Sequence, residues 1–285
     1  MLFSDARKQF FLIKGSYCAA KTLSDYADAL NRFEFFLDHY HQDIQNVEDI
    51  TRNVMYEFLS FLRQQNIKNT SIHTYFRGIN AFISLLIEEE IIEDFKYKIK
   101  LPRPDPALVM PLTVSEVQLC TQIISQTSEY WQRDLLIFRL MLDCGLRSQE
   151  VRQLLRCHIN NDQIQIVNSK CNKNRVIPMP PVIKSLLDLY GYDRFSPEDP
   201  LFDIGDCVIK MFFQKLKKRS GIVRIHAHLL RHTFATSYML HHNNLEYLRL
   251  YLGHESYNIT CNYIHLASQC LLTHYDIYPI SDVFM

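Results

Sequence analysis

The sequence predicts a mainly helical protein of two domains with one small β-hairpin, and three observations carry that prediction. The first hundred residues repeat apolar side chains at helical spacing, prolines then crowd the chain at 102, 104, 106 and 111, and beyond them a single segment alternates as a strand does. At 285 residues the chain suits two domains of about 100 to 200 residues each.

In TLSDYADALNRFEFFLDHY the positions Leu23, Tyr26, Ala27, Leu30, Phe33, Phe36, Leu37 and Tyr40 form one apolar stripe. A second stripe runs Ile72, Tyr75, Phe76, Ile79, Phe82, Ile83 and Leu86, and Val54, Phe58, Phe61 and Leu62 mark a helix between the two. Residues 1–100 therefore read as a helical bundle. Residues 101–112 read as a linker, because proline cannot continue a helix and favours extended backbone. The second domain, 113–285, opens where Thr113 and Glu116 have capping-box spacing. The apolar LLIFRLMLDC follows, with Gly145 placed to close that helix. In QIQIVNSKCNKNRVIPM, Ile164 and Ile166 alternate with polar residues before a polar turn and a β-branched return strand. From Pro181 to about Ala267 the pattern is helical again.

Composition narrows the function classes. No apolar run reaches the roughly 20 residues of a membrane span, and MLFSDARKQFFLIKG is too interrupted by charge for a secretory signal, so a cytoplasmic protein is expected. The eight cysteines lack any paired spacing and read as reduced thiols. Lysine plus arginine equals aspartate plus glutamate at 31 each, yet the cations are not evenly spread. Between Cys207 and Leu245 stand Lys210, Lys215, Lys217, Lys218, Arg219, Arg224 and Arg231 with no acid, and between Gln163 and Leu187 the only charges are Lys170, Lys173, Arg175 and Lys184. Such stretches are either solvated faces paired with acids in space or phosphate contacts.

Four segments concentrate groups suited to one task. CGLRSQEV places Arg147 after a helix end with Glu150 three residues on, and the hairpin turn presents Lys170 beside Lys173 and Arg175. HAHLLRHTFAT sets His228 and Arg231 on one helical face, and YLGHESYNITCNYIH supplies His254, Tyr257 and Tyr263. A phosphodiester under displacement needs its non-bridging oxygens neutralised, its leaving oxygen protonated and its attacking group deprotonated. Paired arginines, a lysine, histidines and a tyrosine are chemically matched to those needs.

In that order the motifs GLRSQEV, hairpin lysine, HLLRHTFAT and LGH with a tyrosine nine residues later resemble the tyrosine recombinase (phage integrase) family. The resemblance covers nearly the whole chain. It implies a SAM-like core-DNA-binding bundle followed by a catalytic domain, in a simple Xer-like or transposon-resolvase arrangement without an arm-site domain. It further implies that Tyr263 forms a 3′-phosphotyrosine, Arg147 and Arg231 clamp the phosphate, and Lys170 protonates the leaving oxygen. His228 would assist proton transfer, His254 would donate to the phosphate, and Glu150 would support the first arginine. DNA contacts are expected from Lys173, Arg175, Lys215, Lys217, Lys218, Arg219 and Arg224. Neither ATP nor a metal ion is implied; the partners are a duplex core site and further protomers, two per site and four per synapse. Leu266, Leu271 and Leu272 in the tail are candidates for docking on a neighbouring protomer.

Ser169 and Cys171 stand where glycines commonly flank the hairpin lysine, so Lys173 stays beside Lys170 as a candidate. Tyr257 remains an alternative nucleophile. A DNA-binding protein without activity is a second reading. A metal hydrolase using His228 and His232 is a third, weakened by the adjacent Arg231 and by the lack of the glutamate of HExxH.

Overall fold

A computed structural model describes residues 1–93, 99–104, 110–167 and 174–280. The chain divides into two compact units, Met1–Ala107 and Leu108–Met285.

The first unit is built from α1 (Phe3–Gly15), α2 (Ala20–Tyr40), α3 (Arg52–Gln64) and α4 (Asn69–Glu88). Both apolar stripes read in the sequence are helical, and α4 buries Ile72, Phe76, Ile79, Phe82, Ile83 and Leu86 as its spacing requires. On α2 the buried face is Ala29, Leu30, Phe33, Phe36 and Leu37, while Tyr40 is exposed and stacks on Phe36 at 5.5 Å. Helix α1, unread in the sequence, buries Phe3, Ala6 and Phe10, and Phe10 meets Phe82 edge-on at 5.5 Å. The core is markedly aromatic: Phe33, Phe36, Phe58 and Phe76 contact one another in a chain with centroids 5.0 to 6.3 Å apart. After α4 the chain folds back, with His73 Nε2 2.8 Å from the Pro102 carbonyl and Asn69 Nδ2 donating to the Arg103 carbonyl at 3.1 Å. Part of the expected linker is thus held against α4.

The second unit contains α5 (Val114–Thr127), α6 (Trp131–Asp143), α7 (Ser148–Arg152), β1 (Gln163–Ile166), β2 (Arg175–Pro178), α8 (Pro181–Tyr190), α9 (Asp206–Ser220), α10 (Ala227–His242), α11 (Leu245–Leu252) and α12 (Tyr257–Leu272). The Thr113–Glu116 capping box starts α5, both of its reciprocal hydrogen bonds being formed. Strands β1 and β2 pair antiparallel, with Ile164 opposite Ile177 and Ile166 opposite Arg175. The hairpin tip, which includes Lys170 and Lys173, lies outside the described residues. Helix α6 is buried nearly all round and packs against α5, α8 and α10, so the site-bearing elements are arranged about it.

The segment after α12 returns to its own unit. Tyr278 N donates to the Leu112 carbonyl at 3.0 Å, Ile280 N to Ser237 Oγ at 3.0 Å, and Tyr278 Oη to Asp143 Oδ1 at 3.1 Å. Of the tail leucines, Leu266 packs on this core, whereas Leu271 and Leu272 are 64% and 83% exposed. Among the described residues no helix is long and apolar enough to cross a membrane.

Candidate active site

The site forms where two helix ends meet. Helix α6 stops at Asp143, and Gly145 takes φ +61°, a left-handed turn in which an added Cβ would lie 2.7 Å from the Phe234 ring. Helix α11 stops the same way at Gly253, φ +64°, where an added Cβ would lie 3.2 Å from the Arg175 guanidinium. The first turn delivers Arg147 to the start of α7, and the second delivers His254. The carbonyls that each helix leaves unpaired become acceptors for arginines.

Arg231, on the second turn of α10, is 1% exposed. Its Nη1 donates to the Gly145 carbonyl at 2.7 Å, and its Nη2 donates to the Leu252 carbonyl at 2.7 Å. Arg147 reaches the same helix end from outside, Nη1 donating to Leu252 at 3.2 Å and Nη2 to Gly253 at 3.3 Å. The negative end of the α11 dipole favours both cations there. Two guanidiniums are therefore brought together on one carbonyl, Arg231 buried and Arg147 about a third exposed.

Glu150 ties this cluster down. Its carboxylate accepts from Arg147 N at 2.9 Å, from Arg147 Nη1 at 2.8 Å, and in a two-pronged pair from Arg175 Nη1 and Nη2, both at 2.9 Å. Arg231 Nη1 stands 3.7 Å away. Burial opposes ionisation of Glu150, but the hydrogen bonds and charge of Arg175, with Arg231 and the Arg147 N–H, outweigh it and hold the group down at about 2. Arg231 is lowered by burial and then by Arg147 to about 9, with Glu150 and Tyr263 pulling the other way, and stays cationic at neutral pH.

His254 lies in the loop after α11, 7% exposed, with Nε2 3.1 Å from Arg231 Nη2 and Nδ1 2.9 Å from Thr260 Oγ1. Burial, followed by Arg231 and Arg147, drives it down to about 3, so the imidazole is neutral. Tyr263, one turn after Thr260 on α12, is 2% exposed and stacks on His254 with centroids 6.2 Å apart. Burial raises its hydroxyl above the ordinary tyrosine value even though Arg231 and Arg147 favour the phenolate. His232 packs against Tyr263 at 5.5 Å and against His228 at 4.8 Å. His228 is the exposed end of this row; its imidazole is pushed down by the protein around the ring, then by Arg231, His226 and Arg147.

Of the residues singled out in the sequence, Arg147, Glu150, Arg231, His254 and Tyr263 are brought into one site, and His228 joins it through His232. Two of the expected DNA-contacting cations are placed otherwise. Arg175 is consumed by Glu150, with its side chain 11% exposed, and Arg224 is consumed by Glu116 and by the Met110 and Pro111 carbonyls. In both cases a carboxylate distant in sequence neutralises the cation. Lys215, Lys217, Lys218 and Arg219 are exposed on α9, with Arg219 bonded to Thr127.

Tyr257 has a separate engagement. Its hydroxyl donates to Glu246, Arg249 lies over its ring at 4.9 Å, and Arg249 Nη1 donates to the His254 carbonyl at 3.1 Å. This exposed cluster braces the loop that carries His254. Sequence reading gave Thr260 and Arg249 no role and considered His232 only for the metal alternative. Thr260 was open to detection, since it stands one helical turn before Tyr263 and shares its face.

Comparison with known proteins agrees with the geometry. The phage integrase family profile matches residues 112–269, and the phage integrase SAM-like domain profile matches residues 3–101. The tyrosine recombinase XerC of Rickettsia canadensis (strain McKiel) is 25% identical over 292 residues, covering 96% of this chain and 95% of the relative. A tyrosine recombinase of Thermosipho africanus (strain TCF52B) is 27% identical over 247 residues, covering 82% and 86%. Among solved structures, XerH site-specific recombinase in a post-cleavage complex with palindromic difH substrate superposes with TM-score 0.73 at 22% identity, over 95% of this chain and 83% of that one. The Tn1549 transposon integrase bound to circular intermediate DNA superposes with TM-score 0.73 at 16% identity, over 95% and 99%. With its catalytic-domain profile spanning more than half of the sequence and its arginines, histidines and tyrosine gathered on one helix junction, this chain belongs to the phage integrase family of tyrosine recombinases.

Proposed function

We propose that the protein is a site-specific recombinase that breaks and rejoins duplex DNA through Tyr263. The observation that carries this reading is the convergence of Arg147, Arg231, His254 and Tyr263 on the α11 carbonyl end. Arg147 and Arg231 clamp the non-bridging oxygens of the scissile phosphate in a water-poor site, where fixed charges act most strongly. The Tyr263 oxygen bonds to phosphorus, the bond to the 5′ oxygen breaks, and a 3′-phosphotyrosine remains. The tyrosine proton passes to neutral His228, with His232 packed between them, and Lys170 supplies the proton that the leaving oxygen takes up. Lys170 is assigned from its position in the sequence, with Lys173 as the alternative. His254 donates to the phosphate. Attack by the 5′ hydroxyl of another duplex reverses these steps, with the bond energy conserved in the phosphotyrosine.

The partners are a duplex core site and further copies of the chain, two on each site and four in the synapse, acting in the cytoplasm. A Xer-like arrangement of bundle, linker and catalytic domain is supported by coverage of nearly the full length of XerC relatives. The domains are taken as 1–100 and 113–285, with 101–112 as the linker. Phosphate contacts fall to Lys215, Lys217 and Lys218, and the balanced net charge predicts a salt slope for DNA binding below about ten.

The test is covalent capture on nicked duplexes from a randomised library. Wild-type protein and Tyr257→Phe should form denaturation-resistant adducts, and Tyr263→Phe should form none while still binding DNA. Adducts that persist in Tyr263→Phe and vanish in Tyr257→Phe would overturn the nucleophile assignment.

A further inference from the structure

His254 is gripped on both ring nitrogens, and the chemistry of the two partners fixes where its proton sits. Arginine can only donate, so the Nε2 that meets Arg231 Nη2 at 3.1 Å accepts and carries no proton. Burial with two nearby arginines keeps the ring neutral. Its single proton is therefore on Nδ1, directed at Thr260 Oγ1 at 2.9 Å. Both residues are buried, Thr260 completely, so water does not substitute for this contact. A ring in this state cannot donate from Nε2, yet the recombinase reading requires His254 to donate to a phosphate oxygen beside the arginines.

We propose that Thr260 is the positioning residue that lets His254 exchange tautomers between the free and the phosphate-bound site. A threonine hydroxyl both donates and accepts. In the free protein Oγ1 accepts from Nδ1–H, and Nε2 accepts from Arg231. When a phosphate takes over the Arg231 N–H groups, Nε2 loses that donor. One proton leaves Nδ1 and one arrives at Nε2 by exchange with solvent, the ring staying neutral, and the Thr260 hydroxyl rotates to donate to Nδ1. An apolar side chain would leave Nδ1 without a partner in both forms, as a donor in the free site and as an acceptor in the phosphate-bound one. The step rests on the recombinase reading for its bound form and on the hydrogen bonds alone for its free form.

The experiment uses full-length protein labelled with ¹⁵N-histidine, the His254 signals being identified by their disappearance in His254→Asn. In the free wild type and in Thr260→Ser, Nδ1 should resonate as a protonated nitrogen and Nε2 as an unprotonated one. In Thr260→Val Arg231 still holds Nε2 unprotonated, so the proton should stay on Nδ1, but the Nδ1–H signal should shift and exchange faster with solvent for want of its acceptor. On nicked duplexes captured by the wild type, Thr260→Val should cleave about tenfold more slowly at saturating DNA with unchanged affinity, and Thr260→Ser should restore the rate. A protonated Nε2 in the free wild type, an Nδ1 signal in Thr260→Val unchanged in shift and exchange, or undiminished cleavage by that variant would each overturn the proposal. The wild-type spectrum decides even if Thr260→Val does not fold. Absence of any Tyr263 adduct in the wild type would instead sink the recombinase reading and leave the free-protein tautomer to be judged by the spectrum.

Discussion

The two units bury different chemistry. The first, built on α1 to α4, encloses an aromatic and aliphatic core in which every buried side chain among the described residues is apolar. The second buries Asp134, Asp143, Glu150, Arg231, His254, Thr260 and further hydroxyls inside an otherwise similar core. Charged groups are costly to bury unless each is paired and hydrogen-bonded, so the second unit must hold its arginines and carboxylates in nearly fixed positions. That fixity is what a phosphate site needs. The first unit meets no such demand and is packed for shape alone.

The contrast can be broken or sharpened by substitution. The largest effect is expected from Arg231→Ala, which removes a proposed phosphate clamp, leaves the Gly145 carbonyl without its side-chain donor and Leu252 with Arg147 alone, and takes a cation from beside Glu150. Cleavage should fall by about a thousandfold or more in single-turnover capture, with a lower melting temperature. A variant that melts lower but cleaves normally would reduce Arg231 to a structural strut. Glu150→Gln should come next, destabilising by about 3 to 5 kcal/mol because Arg175 and Arg231 lose their counterion. In the first unit, Phe58→Ala should cost a similar 3 to 5 kcal/mol through the cavity it leaves. Its consequence should appear in the stability of that unit, measured by its own melting transition.

Acid should separate the units more gently. Glu150 is held at about 2 against 4.5 for the ordinary group, so the folded carboxylate releases its proton more readily than the unfolded one. Its contribution, about 3 kcal/mol, is full above the unfolded value and is lost as pH falls from 4.5 toward 2. Denaturant titrations across that window should show the loss in wild type and a flatter dependence in Glu150→Gln. The smallest effect is expected from Lys21→Ala in the first unit. Its pair with Asp25 is exposed, and the melting temperature should not move measurably.

How much the sequence disclosed differed between the units for the same reason. In the bundle, a stripe such as Ile72, Phe76, Ile79 and Phe82 is a local pattern, and the burial it predicts is the burial found. Helix α1 escaped because its three buried residues, Phe3, Ala6 and Phe10, form too short a stripe beside exposed apolar Leu2 and Leu12. In the catalytic unit, the boxes around Arg147, His228, Arg231, His254 and Tyr263 were visible as motifs. Arg175 and Arg224 were read as DNA contacts because their carboxylates, Glu150 and Glu116, stand 25 and 108 residues away. His232, considered in the sequence only as a metal ligand, is set against Tyr263 by the packing of α10 on α12.

By itself, the sequence determined the striped helices of the bundle, the paired strands, the division into two units and the identity of the groups that could handle a phosphate. Each of these depends on residue type and on spacings of a few positions. Only the tertiary structure decided which charges cancel one another, that Leu252 would anchor two arginines, and that Thr260 would hold the second nitrogen of His254. The anchoring of both arginines follows from the left-handed turns at Gly145 and Gly253, which bring two helix ends together across more than a hundred residues of chain. Hydrogen bonds act over about 3 Å, a distance that sequence order cannot specify.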